Sequence, residues 1–93
     1  MSRWTFLSHH GHVLLCIARN PDVRLREVAD AVGITERAVQ MIVNDLVAAG
    51  YVHRLRVGRR NHYEVMLDAK LRHPLQEDVD VGSLVRLLGS ERP

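Results

Sequence analysis

The sequence has little cysteine, few aromatic residues and no long apolar segment. Among its 93 residues there is one cysteine, and aromatic residues make up 4%. A single cysteine, Cys16, cannot form an internal disulfide, which fits a reducing compartment. No apolar run approaches the roughly twenty residues that are needed to cross a bilayer, so we do not expect membrane insertion.

The first residues, "MSRWTFLSHHGH", also lack the basic segment, apolar core and small-residue cleavage site of a secretory leader. We therefore expect a cytoplasmic protein. A chain of 93 residues has room for one compact domain. We expect residues 1–70 to form that domain and residues 71–93 to form a C-terminal extension with a short helix.

Acidic residues are missing from one part of the chain. Between Tyr51 and Tyr63 there is no Asp or Glu, but there are several basic side chains: His53, Arg54, Arg56, Arg59, Arg60 and His62. Because the formal net charge is only +2, the clustering of positive charge matters more than its total. One end of the molecule is therefore predicted to be basic.

Apolar residues recur at helical spacing in three segments before Gly50. In "SHHGHVLLCIARNPD", Ser8 is a suitable N-cap and Pro21 ends the run. In "VRLREVADAVG", a short helix is closed by Gly33, which tolerates the left-handed conformation. The segment "ITERAVQMIVNDLVAAG" predicts the longest helix, which starts after the N-cap Thr35 and buries a stripe of Val39, Ile42, Val43 and Leu46.

After Gly50 the period changes to alternation, which predicts a two-stranded hairpin. In the turn "GRRN", Gly58 and Asn61 tolerate positive φ, which would leave Arg59 and Arg60 at the exposed tip. An isolated hairpin is marginal in water. Its apolar residues are therefore expected to pack on the helices: Leu55, Val57, Tyr63 and Val65, with Arg54 and Arg56 facing away.

This order of elements resembles the winged helix-turn-helix, most closely bacterial regulators of the MarR and ArsR type. The resemblance runs from Val13 to Leu67 and rests on the "VGITERAVQ" turn and the "AAGYV" junction between helix and strand. It implies an α+β, mostly α fold with three helices and a two-stranded wing, to which the apolar segment "VGSLVRLLG" would add a short C-terminal helix. It also implies a transcriptional regulator without enzymatic activity, whose third helix enters the DNA major groove while the wing reaches the flanking backbone or minor groove.

Candidate DNA-binding residues lie on the third helix and on the wing. With the apolar stripe turned to the core, the opposite face of the helix carries Thr35, Glu36, Arg37, Gln40, Met41 and Asn44. Arg37 suits guanine, and Gln40 or Asn44 suits adenine, because such groups make paired hydrogen bonds in the major groove. The candidates on the wing are Arg54, Arg56, Arg59, Arg60 and Asn61.

Other interpretations of these residues stay open. Arg59 and Arg60 also serve to keep an exposed hairpin soluble and its edges unpaired. Glu36 and Met41 suit a phosphate-lined groove poorly, which keeps a protein-binding use of the third helix as an alternative. An RNA or single-strand binder is a further alternative, but the hairpin lacks the exposed aromatic residues on which bases would stack.

No cofactor, metal site or catalytic pair is expected. The cluster "HHGH" places three histidines at a helix start without a cysteine pair, which is not typical of zinc sites. The remaining histidines are interpreted as surface or partner-bonded residues, and Cys16 as a small core residue. No nucleophile with a neighbouring base and no phosphate-cradling glycine loop is present.

The two ends of the chain carry apolar residues that the small domain has little room to bury. They are Trp4, Phe6 and Leu7 before the first helix, and Leu84 and Leu88 in "VGSLVRLLG". A homodimer that covers both groups is predicted, and the resemblance implies dimerisation through terminal segments. The alternative is that both ends fold back on their own domain. The sequence indicates no particular effector molecule.

Overall fold

The computed structural model describes residues 3–89. Within these residues the α+β, mostly helical fold is confirmed, including the hairpin and the C-terminal helix. None of the helices in this range is long and apolar enough to cross a membrane. The elements are α1 (His9–Arg19), α2 (Leu25–Val32), α3 (Glu36–Ala48), β1 (Val52–Val57), β2 (Arg60–Val65), a 3-10 turn (Pro74–Gln76) and α4 (Val81–Leu88).

The predicted caps define the helices. The hydroxyl of Ser8 accepts from the N–H of Gly11 at 3.2 Å and starts α1. The hydroxyl of Thr35 accepts from the N–H of Ala38 at 3.0 Å and starts α3. Gly33 closes α2 with a φ of 85°, a conformation that costs little only for glycine. Since α2 and α3 are separated only by Gly33, Ile34 and Thr35, they form a helix-turn-helix.

The core lies where α1, α2 and α3 meet. The predicted stripe of α3 is buried, and Val39 and Val43 are fully inaccessible. They pack in one cluster with fully buried residues of α1, such as Val13 and Ile17. Burying one such aliphatic side chain contributes about 1.5 to 3 kcal/mol. The buried stripe fixes the rotation of α3 and therefore decides which of its residues face solvent.

The hairpin turns more tightly than the sequence suggested. Val57 pairs with Arg60, so the loop contains only Gly58 and Arg59. Gly58 takes a φ of 62°, which suits a two-residue hairpin turn. The expectation that Asn61 is a turn residue with positive φ is wrong, because it lies in β2 opposite Arg56. The tip therefore carries Arg59, while Arg60 begins the second strand.

The hairpin packs on the helices with the opposite face from the one expected. The two-residue loop pairs odd-numbered residues of β1 with even-numbered residues of β2, and paired residues share a face. Arg54 therefore lies beside Tyr63, which is 2% exposed, while Val57 is 64% exposed on the outer face. The prediction that Leu55 and Val57 pack with Tyr63 is wrong, because Leu55 and Val57 pair with His62 and Arg60 and lie on the other face of the hairpin. The inner face consists of Val52, Arg54, Arg56, Asn61, Tyr63 and Val65.

Helix α4 is joined to the chain that follows β2. The carboxylate of Asp80 accepts from the N–H of Ser83 at 2.8 Å and caps the helix. Hydrogen bonds from Ser83 also lower the pKa of Asp80. The N–H groups of Val81 and Gly82 donate to the carbonyls of Ala69 and Leu67, both at 2.8 Å. The fully buried side chain of Val81 extends the core to this helix.

Candidate nucleic-acid interface

One face of α3 is polar and open to solvent. The N-cap Thr35 and the predicted recognition residues are all exposed, and Met41 retains 63% of its accessible surface. They lie opposite the buried stripe, so the packing of the core brings them together on one surface. This surface, called the recognition face below, consists of Thr35, Glu36, Arg37, Gln40, Met41 and Asn44.

Asn44 is the centre of a small hydrogen-bond network. Its Oδ1 accepts from Nη2 of Arg54 at 2.8 Å and from Nε2 of Gln40 at 3.1 Å. Arg54 is half-buried because it lies on the inner face of the hairpin. Its Nε is buried and has no hydrogen-bond partner among the described residues. The structure thus joins two predicted recognition residues to an arginine that was expected to point away from the helices.

The other arginines of the hairpin differ in what they contact. Arg59 makes no hydrogen bond or ion pair with any residue of the described range. Nε of Arg56 donates to the carbonyl of Gly58 at 3.1 Å and stays within the hairpin. Nη2 of Arg60 donates to the carbonyl of Asp22 at 2.9 Å, in the loop between α1 and α2. Arg60 is therefore held against the helical body. The prediction that it lies at the tip of the hairpin is wrong.

The carboxylate of Asp22 makes a second contact with the hairpin, besides the contact of its carbonyl with Arg60. Nδ1 of His62 donates to Oδ1 of Asp22 at 2.7 Å, and the N–H of Tyr63 donates to the carbonyl of Pro21 at 2.9 Å. Together with the bond from Arg60, these contacts fix the angle between the hairpin and the helices. Sequence reasoning missed Asp22. A signal was available in "NPD", because Oδ1 of Asn20 accepts from the N–H of Asp22 at 3.1 Å in a local turn.

A cleft of about 410 Å³ lies between the starts of α2 and α3 and the hairpin. Its walls include three arginines, Arg24, Arg59 and Arg60, and two carboxylates, Asp22 and Glu36. Arginine side chains offer several hydrogen-bond donors in a fixed fork. The lining of the cleft is therefore mixed in charge, with the arginines in excess by one.

The apolar residues at the two ends of the chain are incompletely covered. Trp4 is 68% exposed and Phe6 94% exposed, and their rings contact each other edge to face at 5.1 Å. Leu7 and Leu84 are half-buried, while Leu88 keeps 48% of its surface exposed. The folded domain thus leaves an apolar surface at these positions.

Two of the histidines make hydrogen bonds within the domain, and Cys16 is partly buried. Nε2 of His10 donates to the carboxylate of Asp45 at 2.9 Å, and Nδ1 of His73 accepts from the N–H of Leu75 at 3.1 Å. No group of three or more metal-ligating side chains occurs within residues 3–89. Cys16 is half-buried, and burial raises the pKa of its thiol, which disfavours the reactive thiolate.

The order of the helices, the exposed face of α3 and the hairpin define a winged helix-turn-helix. In agreement, residues 5–60 match the MarR family, from the chain before α1 to the first residue of β2. The protein belongs to the MarR family, whose members are DNA-binding transcription regulators. A search of curated proteins gave no match. The hairpin is called the wing below.

Proposed function

We propose that the protein binds double-stranded DNA in a sequence-specific manner and regulates transcription without catalysing a reaction. In this proposal α3 enters the major groove, which is wide enough for one helix, and the wing lies on the flanking backbone or minor groove. The observation that carries the proposal is the position of the exposed recognition face beside the basic wing. The protein would act in the cytoplasm, where it has access to DNA.

Each part of the recognition face has a distinct proposed role. Arg37 lies in the first turns of α3, where its fork of donors suits guanine. The N-terminus of α3 and the hydroxyl of Thr35 would contact a phosphate, since helix N-termini offer N–H groups and a partial positive charge. Glu36 and Met41 would lie at the edge of the contact. The proposed backbone contacts of the wing are Arg56, Arg59, Arg60 and Asn61, while Arg54 would take part in the interface beside Asn44, to which it is bonded.

Selection of bound sequences from a random duplex pool tests the proposal. We expect a defined sequence motif, and we expect Arg37→Ala to lose preference at one position while non-specific affinity persists. The loss should be about 1 to 3 kcal/mol, the discrimination of one good paired contact. Binding of all duplexes with equal affinity would contradict sequence-specific recognition.

A protein partner is the second candidate for the recognition face. It is favoured by Met41, which is 63% exposed at the centre of this face, and by the acidic Glu36. Binding of that kind would depend little on salt and would survive the loss of the wing arginines. A single-stranded nucleic acid is less suited, because Tyr63, the aromatic residue of the hairpin strands, is only 2% exposed and cannot stack on a base.

We also propose a homodimer whose contact involves the exposed apolar ends, with residues 71–93 acting as a dimerisation extension. The residues of this contact would be Trp4, Phe6, Leu7, Leu84 and Leu88. A two-fold dimer would place two α3 helices in successive major grooves. The bound DNA would then be an inverted repeat with half-site centres about 34 to 36 Å apart, or a multiple of this distance.

Light scattering tests the dimer. Trp4→Ala combined with Leu88→Asp should reduce the mass to that of a monomer, because an unpaired charge would lie in an apolar contact. Affinity for the inverted repeat should fall much more than non-specific affinity, since each half-site would then bind alone. A wild-type protein that is monomeric at micromolar concentration, both free and on DNA, would contradict the dimer.

A further inference from the structure

We propose that Arg54 is a positioning residue that restricts Asn44 to donating hydrogen bonds to the DNA and leaves the adenine-type paired contact to Gln40. The proposal rests on the proposed function, in which the recognition face enters the major groove. It assigns Arg54 a role in sequence preference, whereas an arginine on a wing would ordinarily be assigned to a phosphate.

The orientation of the Asn44 amide follows from the chemistry of its neighbour. Nη2 of Arg54 lies 2.8 Å from Oδ1 of Asn44. A guanidinium group has donors and no acceptor, so the atom that faces it has to be the amide oxygen. A rotated amide would place two N–H groups against the guanidinium. This arrangement loses a charge-assisted hydrogen bond and leaves the donors opposed.

The same argument orients Gln40. Oδ1 of Asn44 also lies 3.1 Å from the Gln40 amide, and only the nitrogen of that amide can donate to an oxygen. The two lone pairs of Oδ1 are then both used, one by Arg54 and one by Gln40. Asn44 keeps its two N–H donors for other partners. Gln40 keeps its oxygen and one N–H.

The position of Arg54 makes the network persistent. Arg54 lies on the inner face of the hairpin beside Tyr63 and is half-buried, unlike Arg56 and Arg59. Its Nε is enclosed without a hydrogen-bond partner in residues 3–89, so the guanidinium is already partly removed from water, and the bond from Nη2 to Asn44 is the hydrogen bond that it makes there. Swinging the side chain out to a phosphate would break that bond.

These assignments divide the bases between the two amides. A paired contact to adenine needs an amide oxygen that accepts from N6 and an amide nitrogen that donates to N7. Asn44 has no lone pair left to accept from N6, so it can only donate, and its two N–H groups match the two acceptors of guanine, O6 and N7, better than the single acceptor of adenine or thymine. Gln40 retains one acceptor and one donor and can still pair with adenine. Sequence reasoning alone treated the two amides as equivalent.

The experiment compares base preferences, selected from a random duplex pool, for the wild type, Arg54→Met and Arg56→Met. Arg56→Met is the matched control, because it removes the same charge from the same strand and face but leaves Asn44 bonded. We expect Arg54→Met to free Oδ1 of Asn44 and to raise the preference for adenine at one position by about tenfold, within the range of one good base contact. Arg56→Met should weaken binding evenly and keep the wild-type motif.

A second variant covers the case in which Arg54→Met does not fold. Asn44→Asp keeps an oxygen for Arg54 and for Gln40 but has no N–H to offer, so the preference for guanine at that position should be lost. An unchanged motif in Asn44→Asp would overturn the proposal. So would equal, motif-independent weakening by Arg54→Met and Arg56→Met, because Arg54 would then be only a backbone contact.

The outcome also separates this inference from the proposed function. A wild-type protein without any motif would contradict the sequence-specific binding itself. A wild-type motif that changes with Arg37→Ala but not with the Arg54 and Asn44 variants would leave the proposed function in place and refute the positioning role alone.

Discussion

The four arginines of the hairpin fall into two pairs with different surroundings. Arg54 and Arg60 donate to the helical body, to Asn44 and to the carbonyl of Asp22. Arg56 bonds only within the hairpin, and Arg59 has no partner in the described part of the chain. In the sequence all four belong to one basic segment. Their surroundings differ because each has a different place in the folded hairpin: Arg54 lies within reach of Asn44 and Arg60 within reach of the loop between α1 and α2, which the local composition does not reveal.

The largest effect on stability is expected from a substitution that tests the pairing register of the hairpin. Tyr63→Ala should lower the free energy of unfolding by about 3 kcal/mol, because it removes a buried aromatic side chain from beside Arg54. Val57→Ala, on the outer face, should change it by less than about 0.5 kcal/mol. Urea denaturation followed by circular dichroism measures both. Similar losses for the two variants would mean that the assignment of faces is wrong.

Removal of Arg56 and Arg59, the two arginines that do not bond to the helical body, should affect DNA binding and leave stability unchanged. For Arg56→Ala with Arg59→Ala, the slope of log affinity against log salt should fall by about 1 to 2, since each neutralised phosphate contributes roughly 0.9. Arg60→Ala should lower the slope less, because its guanidinium is already bonded to the body. Fluorescence anisotropy at several salt concentrations measures the slopes. An unchanged slope in the double variant would remove the wing tip from the interface.

The attachment of the wing to the body can be weakened without changing any arginine. Asp22→Ala removes the acceptor of His62, and it should lower the free energy of unfolding by about 1 kcal/mol and speed amide hydrogen exchange in β2. Asp45→Ala is the matched control, because it also removes a carboxylate that bonds to a histidine, in this case His10. It lies away from the wing and should leave the exchange of β2 unchanged. Equal exchange in both variants would contradict the attachment role.

The smallest effect should occur at α4, far from these arginines. The pKa of Asp80 is lowered by hydrogen bonds from Ser83, so its contribution to stability is complete above the unfolded pKa of about 3.9. The contribution is lost as the pH falls through the lower folded pKa. Asp80→Asn keeps an N-cap without a titrating charge and should show less acid dependence of stability below about pH 4. Identical acid profiles for the two proteins would refute this contribution.

The local features of the fold could be predicted from the sequence. The caps Ser8 and Thr35 and the closing residue Gly33 act within a few positions, so their residue types are sufficient. The alternating pattern correctly predicted a hairpin. It did not predict which face packs inward, because Leu55 and Val57 of β1 lie on the opposite face from Tyr63 and Val65 of β2, so the apolar residues of the two strands cannot all pack on the helices.

In the candidate site, too, the local features could be predicted from the sequence and the long-range contacts could not. The recognition face could be predicted because the apolar stripe of α3 fixes its rotation. The bonds from Arg54 to Asn44 and from Arg60 and His62 to Asp22 could not, because they join residues up to 40 positions apart. Such contacts depend on the register and on the angle of the hairpin, and neither is encoded in the pattern of a single segment.

The main-chain bonds between α4 and the chain after β2 have a consequence for the order of folding. An isolated helix of eight residues is marginal in water, so α4 depends on the carbonyls of Leu67 and Ala69 and on the core around Val81. These acceptors are in place only after β2 has paired with β1, because the N–H of Met66 continues the ladder to the carbonyl of Tyr51 at 2.8 Å. We therefore expect helix α4 to join late during folding and to separate early during unfolding.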